Sequence, residues 1–148
     1  MAGFLPDTSC MIATVCAWHE HHGRAADEIG RRLRAAEPMF IAAPAVIEAY
    51  AVLTRLPPPH RMAPAAALAV IEGSFMGHGR IIALDGRSYR RLVHRLVEMQ
   101  IGGGQAYDAV IAECALREPE VALLTFNEND FSPFTGRGLV IVVPGRHG

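Results

Sequence analysis

Residues 3–16 read GFLPDTSCMIATVC, an apolar stretch, three polar residues, then a second apolar run. A short apolar segment running straight into a helix start predicts a strand that hands Asp7 to a helix, with Thr8 or Ser9 as N-cap. That helix is expected to continue through CMIATVCAWHEHH and stop near Gly23. The same strand-then-helix unit recurs along the chain. A second helix is expected over residues 25–36, with Ile29 and Leu33 at core spacing. Residues 39–42 predict a strand, and Pro44 marks the first turn of the helix PAVIEAYAVLTRL, which the prolines at 57–59 end. Further on come a helix over 64–76, a strand over 81–84 and a basic helix over 86–100. The glycines at 102–104 lead into a helix carrying Asp108. A strand over 121–125, the turn NENDF and a last strand, LVIVV, complete the chain. The strands show no in-out alternation, as expected when both sheet faces are covered. The fold class expected is a doubly wound, three-layer α/β/α sandwich with a mostly parallel sheet, as one domain over residues 1–148.

Composition narrows the chemistry. The chain has 148 residues, 51% hydrophobic and 20% charged, which suits one ordinary globular core. Its net charge of −1 announces no polyanionic partner. All 14 basic residues are arginine, so P-loop nucleotide binding, Schiff-base catalysis and receiver-type phospho-acceptor sites are excluded. No apolar run has the roughly 20 residues of a membrane span, and no signal peptide is expected. Cys10, Cys16 and Cys114 lie far apart in apolar surroundings. They are expected to be reduced and buried in a cytoplasmic protein.

Most of the 15 acids sit among polar or turn residues. Three do not. Asp7 closes an apolar strand, Glu48 is the one acid in PAVIEAYAVL, and Asp108 stands between Tyr107 and AVIA. Singly, each reads as readily as an exposed polar edge or a helix cap as it does as a functional acid. In an open parallel sheet, however, strand C-termini and the helix starts after them gather along one edge, where ligands bind. Asp7 and Asp108 fall at such positions, and Glu48 is within reach of the same edge. Two unit charges about 4 Å apart repel by roughly 4 kcal/mol at a partly buried site. A domain stable by about 5–15 kcal/mol needs protonation, arginines or a divalent cation to hold three. Oxygen ligands without His or Cys select Mg²⁺ or Mn²⁺, which suits phosphodiester hydrolysis.

Other features read more plainly. HEHH at 19–22 fails the H-E-x-x-H spacing and reads as a solvated helix end. Arg87, Arg90, Arg91, His94 and Arg95 form a basic stripe, either a solvated face or a contact for RNA phosphates, with Leu92, Val93, Leu96 and Val97 facing the core. The glycines at 102–104 suit a tight turn. Trp18 and Tyr50 fit a core or a partner groove equally well. Pro6 removes a ladder donor at the end of the first strand, which marks irregular geometry there.

LPDTS, IEAYAVLTRLPPP, GGGQAYDAVIAECA and TFNENDF stand in the order and rough spacing of PIN-domain ribonucleases. The chain resembles the VapC toxins of bacterial VapBC toxin–antitoxin pairs over essentially its whole length. The resemblance implies a Mg²⁺- or Mn²⁺-dependent endoribonuclease that acts as the toxin of such a pair. Asp7, Glu48 and Asp108 would be its metal-binding and catalytic acids. Asn127 is the positional match to the fourth site residue, and Asp130 is a candidate for a water-mediated role. Thr8, Ser9 and Thr125 would orient water or metal ligands. The implied partners are an RNA substrate and a small VapB-like antitoxin whose C-terminal segment covers the acidic groove, an arginine taking the cation's place. A homodimer is also implied, with the apolar helices over 44–76 as its surface, and no membrane. A haloacid-dehalogenase-like phosphotransferase would need D-x-D and a lysine, which the chain lacks. The remaining alternative is a PIN-like scaffold that binds RNA or protein without cutting.

Overall fold

The computed structural model describes residues 2–146. Five three-residue strands run parallel: β1 (Phe4–Pro6), β2 (Phe40–Ala42), β3 (Arg80–Ile82), β4 (Ala122–Leu124) and β5 (Val140–Val142). They form two ladders, β1-β4-β5 and β2-β3, which one bridge between Phe4 and Met39 joins. The order across the sheet is therefore β3-β2-β1-β4-β5. Pro6 explains the thin seam. Phe4 donates its amide to Pro38 on the β2 side, and Asp7 donates to Leu124 on the β4 side. Successive amides along a strand alternate in direction, so position 6 faces β2, where proline has no hydrogen to give.

The helices are α1 (Thr8–Val15), α2 (His22–Arg34), α3 (Ala43–Arg55), α4 (Pro64–Ile71), α5 (Gly86–Glu98), α6 (Gln105–Ala115) and the short α7 (Glu128–Phe131). A π-helical turn, Glu72–Met76, extends α4, and a 3-10 segment, Ser132–Arg137, follows α7. Helices α1 to α4 pack on one another, as do α5 with α6 and α6 with α7. The connections from β1 to β2 and on to β3 step one way across the sheet, and the connection to β4 reverses. Right-handed crossovers then place the two helix groups on opposite faces. The expected three-layer sandwich is what the chain builds. Every residue of β1, β2 and β4 is buried, which accounts for their missing alternation. Phe4, Leu5, Ile41, Leu53, Leu123 and Phe131 lie at the centre of the core.

Some local expectations are corrected. α1 ends at Val15, where Cys16 turns extended, and His22 opens α2 instead of closing α1. The His22 imidazole sits 2.9 Å from the carbonyl of Ala13, one of the orphan acceptors at the end of α1, so the ring closes the turn the helix abandons. The HEHH segment is thus a junction between two helices. Its His21 ring stacks on Phe126 at 4.3 Å between centroids. On α5 only Leu92 and Leu96 face the core, while Val93 and Val97 are exposed. On α2, Ile29 is buried but Leu33 is exposed. Trp18 lies outside the core, stacked on His60. Gly103 has φ +69°, the left-handed conformation that suits glycine in the tight turn before α6. All three cysteines are free and buried. Among the described residues no helix is long and apolar enough to cross a membrane.

Candidate functional site

β1 and β4 are neighbours whose outgoing connections leave in opposite directions, the arrangement that opens a crevice at the carboxyl edge of such a sheet. Asp7 follows β1 there and Thr125 follows β4. Asp7 is the N-cap of α1, displacing Thr8 and Ser9 from the expected role. One carboxylate oxygen, Oδ1, accepts from the Ser9 hydroxyl at 2.6 Å and the Cys10 amide at 2.9 Å. The other, Oδ2, accepts from the Thr125 hydroxyl at 2.6 Å. The tie extends further, because Thr125 Oγ1 accepts the Asn127 amide at 2.9 Å and Ser9 Oγ accepts the Phe126 amide at 3.2 Å. An ionised carboxylate has about four acceptor sites. Three are used here, so Asp7 is fixed in orientation and keeps about one lone pair for something else.

Burial pushes the Asp7 carboxyl above its ordinary range. Bonds from Ser9, Thr125 and Cys10 pull it back, and the charge of Glu48 adds to the rise. Asp108, half-buried in the first turns of α6, is raised to about 6, by desolvation first and then by the charges of Asp130, Asp7 and Glu48. The four acids therefore share one electrostatic neighbourhood, although they come from four different segments. Their gathering is the more telling fact, since Asp27, Glu72, Asp85, Glu98 and Glu120 also lack an arginine partner among the described residues. Glu28, Glu37, Glu113, Glu118 and Glu128 all pair with arginines. Among the described residues no ion pair reaches Asp7, Glu48, Asp108 or Asp130.

Among the described residues no three His, Cys, Asp or Glu side chains stand close enough to hold one ion as they lie. Like charges push apart, and Glu48, exposed on α3 with a long side chain, has the freedom to retreat. Asn127, the positional match, contributes its backbone amide to Thr125, while its exposed side chain makes no capping bond. Asp130 supplies the largest charge felt by Asp108. Ser9 and Thr125 orient Asp7, as expected of small hydroxyls. The Thr8 hydroxyl is buried without a partner, and the neighbouring residue is Asp7 itself. The stacking of Phe126 and His21 beside this loop has no counterpart in the sequence reading, because no local pattern announces it.

Residues 4–134 match the family model of the PIN domain. Ribonuclease VapC40 of Mycobacterium tuberculosis (strain H37Rv) is 41% identical over 106 residues, covering 72% of this chain and 73% of that protein. The chain belongs to the PIN-domain family, among the VapC proteins. Solved PIN structures share its fold. A Mycobacterium tuberculosis VapC20, described as a Sarcin-Ricin loop cleaving toxin, aligns at TM-score 0.68 and 21% identity, over 96% of this chain and 100% of its own. DNA-bound VapBC from Salmonella typhimurium aligns at TM-score 0.67 and 22% identity, over 97% and 98%. In this PIN domain, the acid-bearing edge lies inside the stretch that matches the family model.

Proposed function

We propose that this PIN domain is a divalent-metal-dependent endoribonuclease, the toxin of a toxin–antitoxin pair. The observation that carries the reading is the set of four carboxylates at the sheet crevice that no arginine reaches, in a chain with 14 of them. The residues fit a hard cation: oxygen donors only, a partly desolvated Asp108, and an orphaned hydroxyl on Thr8. Asp7 and Asp108 would hold Mg²⁺ or Mn²⁺, with Glu48 swinging in. The charge that Asp130 exerts on Asp108 supports it, ahead of Asn127, as the fourth participant. When bound, the ion would polarise a phosphodiester and lower the pKa of an attacking water.

The chain's own residues do the rest. Thr125 and Ser9 hold Asp7 in one orientation, so its free lone pair points to a fixed place. Asp108, raised to about 6 in the metal-free fold, is still ionised at neutral pH and so available to a cation. The cleft lined by Ile47, Glu48, Ala51, Tyr107 and Ile111 gives an apolar wall beside Glu48. The VapBC relatives were solved as toxin–antitoxin complexes on DNA, which supports a small VapB-like antitoxin as partner.

The spread of the acids is the one feature favouring a non-catalytic scaffold. Isothermal titration with Mn²⁺ separates the two readings: the enzyme gives saturable heat in the wild type and none in Asp7→Asn. Equal heats from both, or none from the wild type, would sink the metal site.

A further inference from the structure

A second polar cavity, of about 250 Å³, opens between α5, α6 and the 3-10 segment, on the α5–α7 layer. Its wall carries four guanidiniums, Arg91, Arg95, Arg117 and Arg137, with Ser88 and one carboxylate, Glu113. Glu113 is mostly buried and binds both Arg95 and Arg137 through the same oxygen. Arg117 spends its guanidinium on the Ser88 hydroxyl. Arg91 and Arg117 enter no ion pair among the described residues. The nearby Asp85 caps α5 by accepting the Ser88 amide at 2.8 Å and feels the charges of Arg117 and Arg91, so four guanidiniums face two carboxylates.

Positive charge is thus in excess around a concave, polar space, and two of its four cations are held in place by a buried carboxylate. A solvated arginine face has neither property. The excess also continues outward, since Arg90, Arg91, His94 and Arg95 line an adjoining shallow groove along α5 in which Glu98 is the one carboxylate. A pocket that opens into a track of cations suits a polyanion with regularly repeated charges better than one small ion. Guanidinium forks match phosphate oxygens in pairs. The pocket shares α6 with Asp108: Glu113 lies about 8 Å further along the axis, at roughly 1.5 Å per residue, and roughly 140° around it.

We propose that this arginine pocket binds a backbone phosphate of the RNA substrate at a distance from the bond that is cut. This inference rests on the endoribonuclease reading, and its test separates the two. Binding of a labelled single-stranded RNA is followed by fluorescence anisotropy in EDTA over a salt series. The proteins are wild type, an Arg91→Ala/Arg117→Ala double variant, and Arg34→Ala on α2 as control. In the double variant Kd should rise about tenfold at low salt, and the log–log salt slope should fall by about 0.7 for each phosphate no longer neutralised. Arg34→Ala should follow the wild type.

Cleavage of the same RNA by the wild type with Mn²⁺ is measured alongside. Cleavage together with superimposable salt series for wild type and double variant overturns the pocket and leaves the enzyme standing. Neither cleavage nor binding by the wild type removes both. An unchanged RNA slope with weakened capture of a polyglutamate peptide overturns the proposal in favour of an acidic protein partner.

Discussion

Asp7 has two jobs that a substitution can pull apart. Its carboxylate caps α1 and ties Thr125, and in the proposed site it would also hold the cation. Asparagine keeps the shape and the capping oxygen but loses the charge and the acceptor for Thr125, so Asp7→Asn should lose less stability than Asp7→Ala while losing Mn²⁺ heat. Asp7→Ala should lose about 1–2 kcal/mol in urea denaturation, because the cap disappears as well. Equal stability losses in both variants would show the charge itself to be structural. Asp108 gives a second separation. Its folded value of about 6 lies above the ordinary 3.8, so protons favour the folded state. Metal-free stability from this group is full below about pH 4 and is lost as the pH rises through 6. Asp108→Asn should therefore raise the metal-free Tm at pH 7 by about 2–4 °C, corresponding to roughly 1 kcal/mol, with the difference vanishing at pH 4. A lower Tm for the variant at both pH values would refute this. Proton competition also requires Mn²⁺ to bind more weakly at pH 5.5 than at 7.5, which titration can check. Asp7, Glu48 and Asp108 were legible in the sequence because each is an acid set among apolar neighbours. Asn127 and Asp130 lie together in one polar turn and are both exposed, so position in the sequence does not choose between them.

At the scale of elements, the seam between β1 and β2 is the weak line of the sheet. Pro6 removes a donor there, and the backbones come close instead: a Cβ on Gly3 would lie 2.7 Å from the Pro38 carbonyl oxygen and 2.7 Å from Phe40 Cε2. Gly3→Ala should lower stability by about 1–3 kcal/mol through that overlap. Thermal melting would show it, and an unchanged Tm would mean the seam can spread. The order of strands and helices was readable from alternating apolar runs and proline stops. Where α1 ended was not, because His22 closes it by reaching back nine positions to Ala13, a tie no helical period encodes. The side of α5 that faces the core was half-readable. Leu92 and Leu96 are four apart and buried, but the valines beside them look equally apolar in the sequence and face solvent.

For the whole molecule, a net charge near zero conceals segregation. The carboxylates of the crevice have no arginines, while the arginines of α5 and its surroundings outnumber their acids. A third feature is apolar: Ile47 on α3 is 69% exposed and Leu68 on α4 is 54% exposed. These helices lie within the segment expected to mediate dimerisation. Sedimentation velocity should give a dimer mass for the wild type and a monomer for Ile47→Glu, and a monomeric wild type would remove the dimer from consideration. The bond from Thr125 to Asp7 spans 118 positions of the chain. During synthesis the ribosome makes Asp7 118 positions before its anchor. Until β4 has emerged, the nascent polypeptide carries an untethered carboxylate and half a crevice. A protein that cuts RNA would thereby stay harmless to the ribosome making it until β4 has joined the fold.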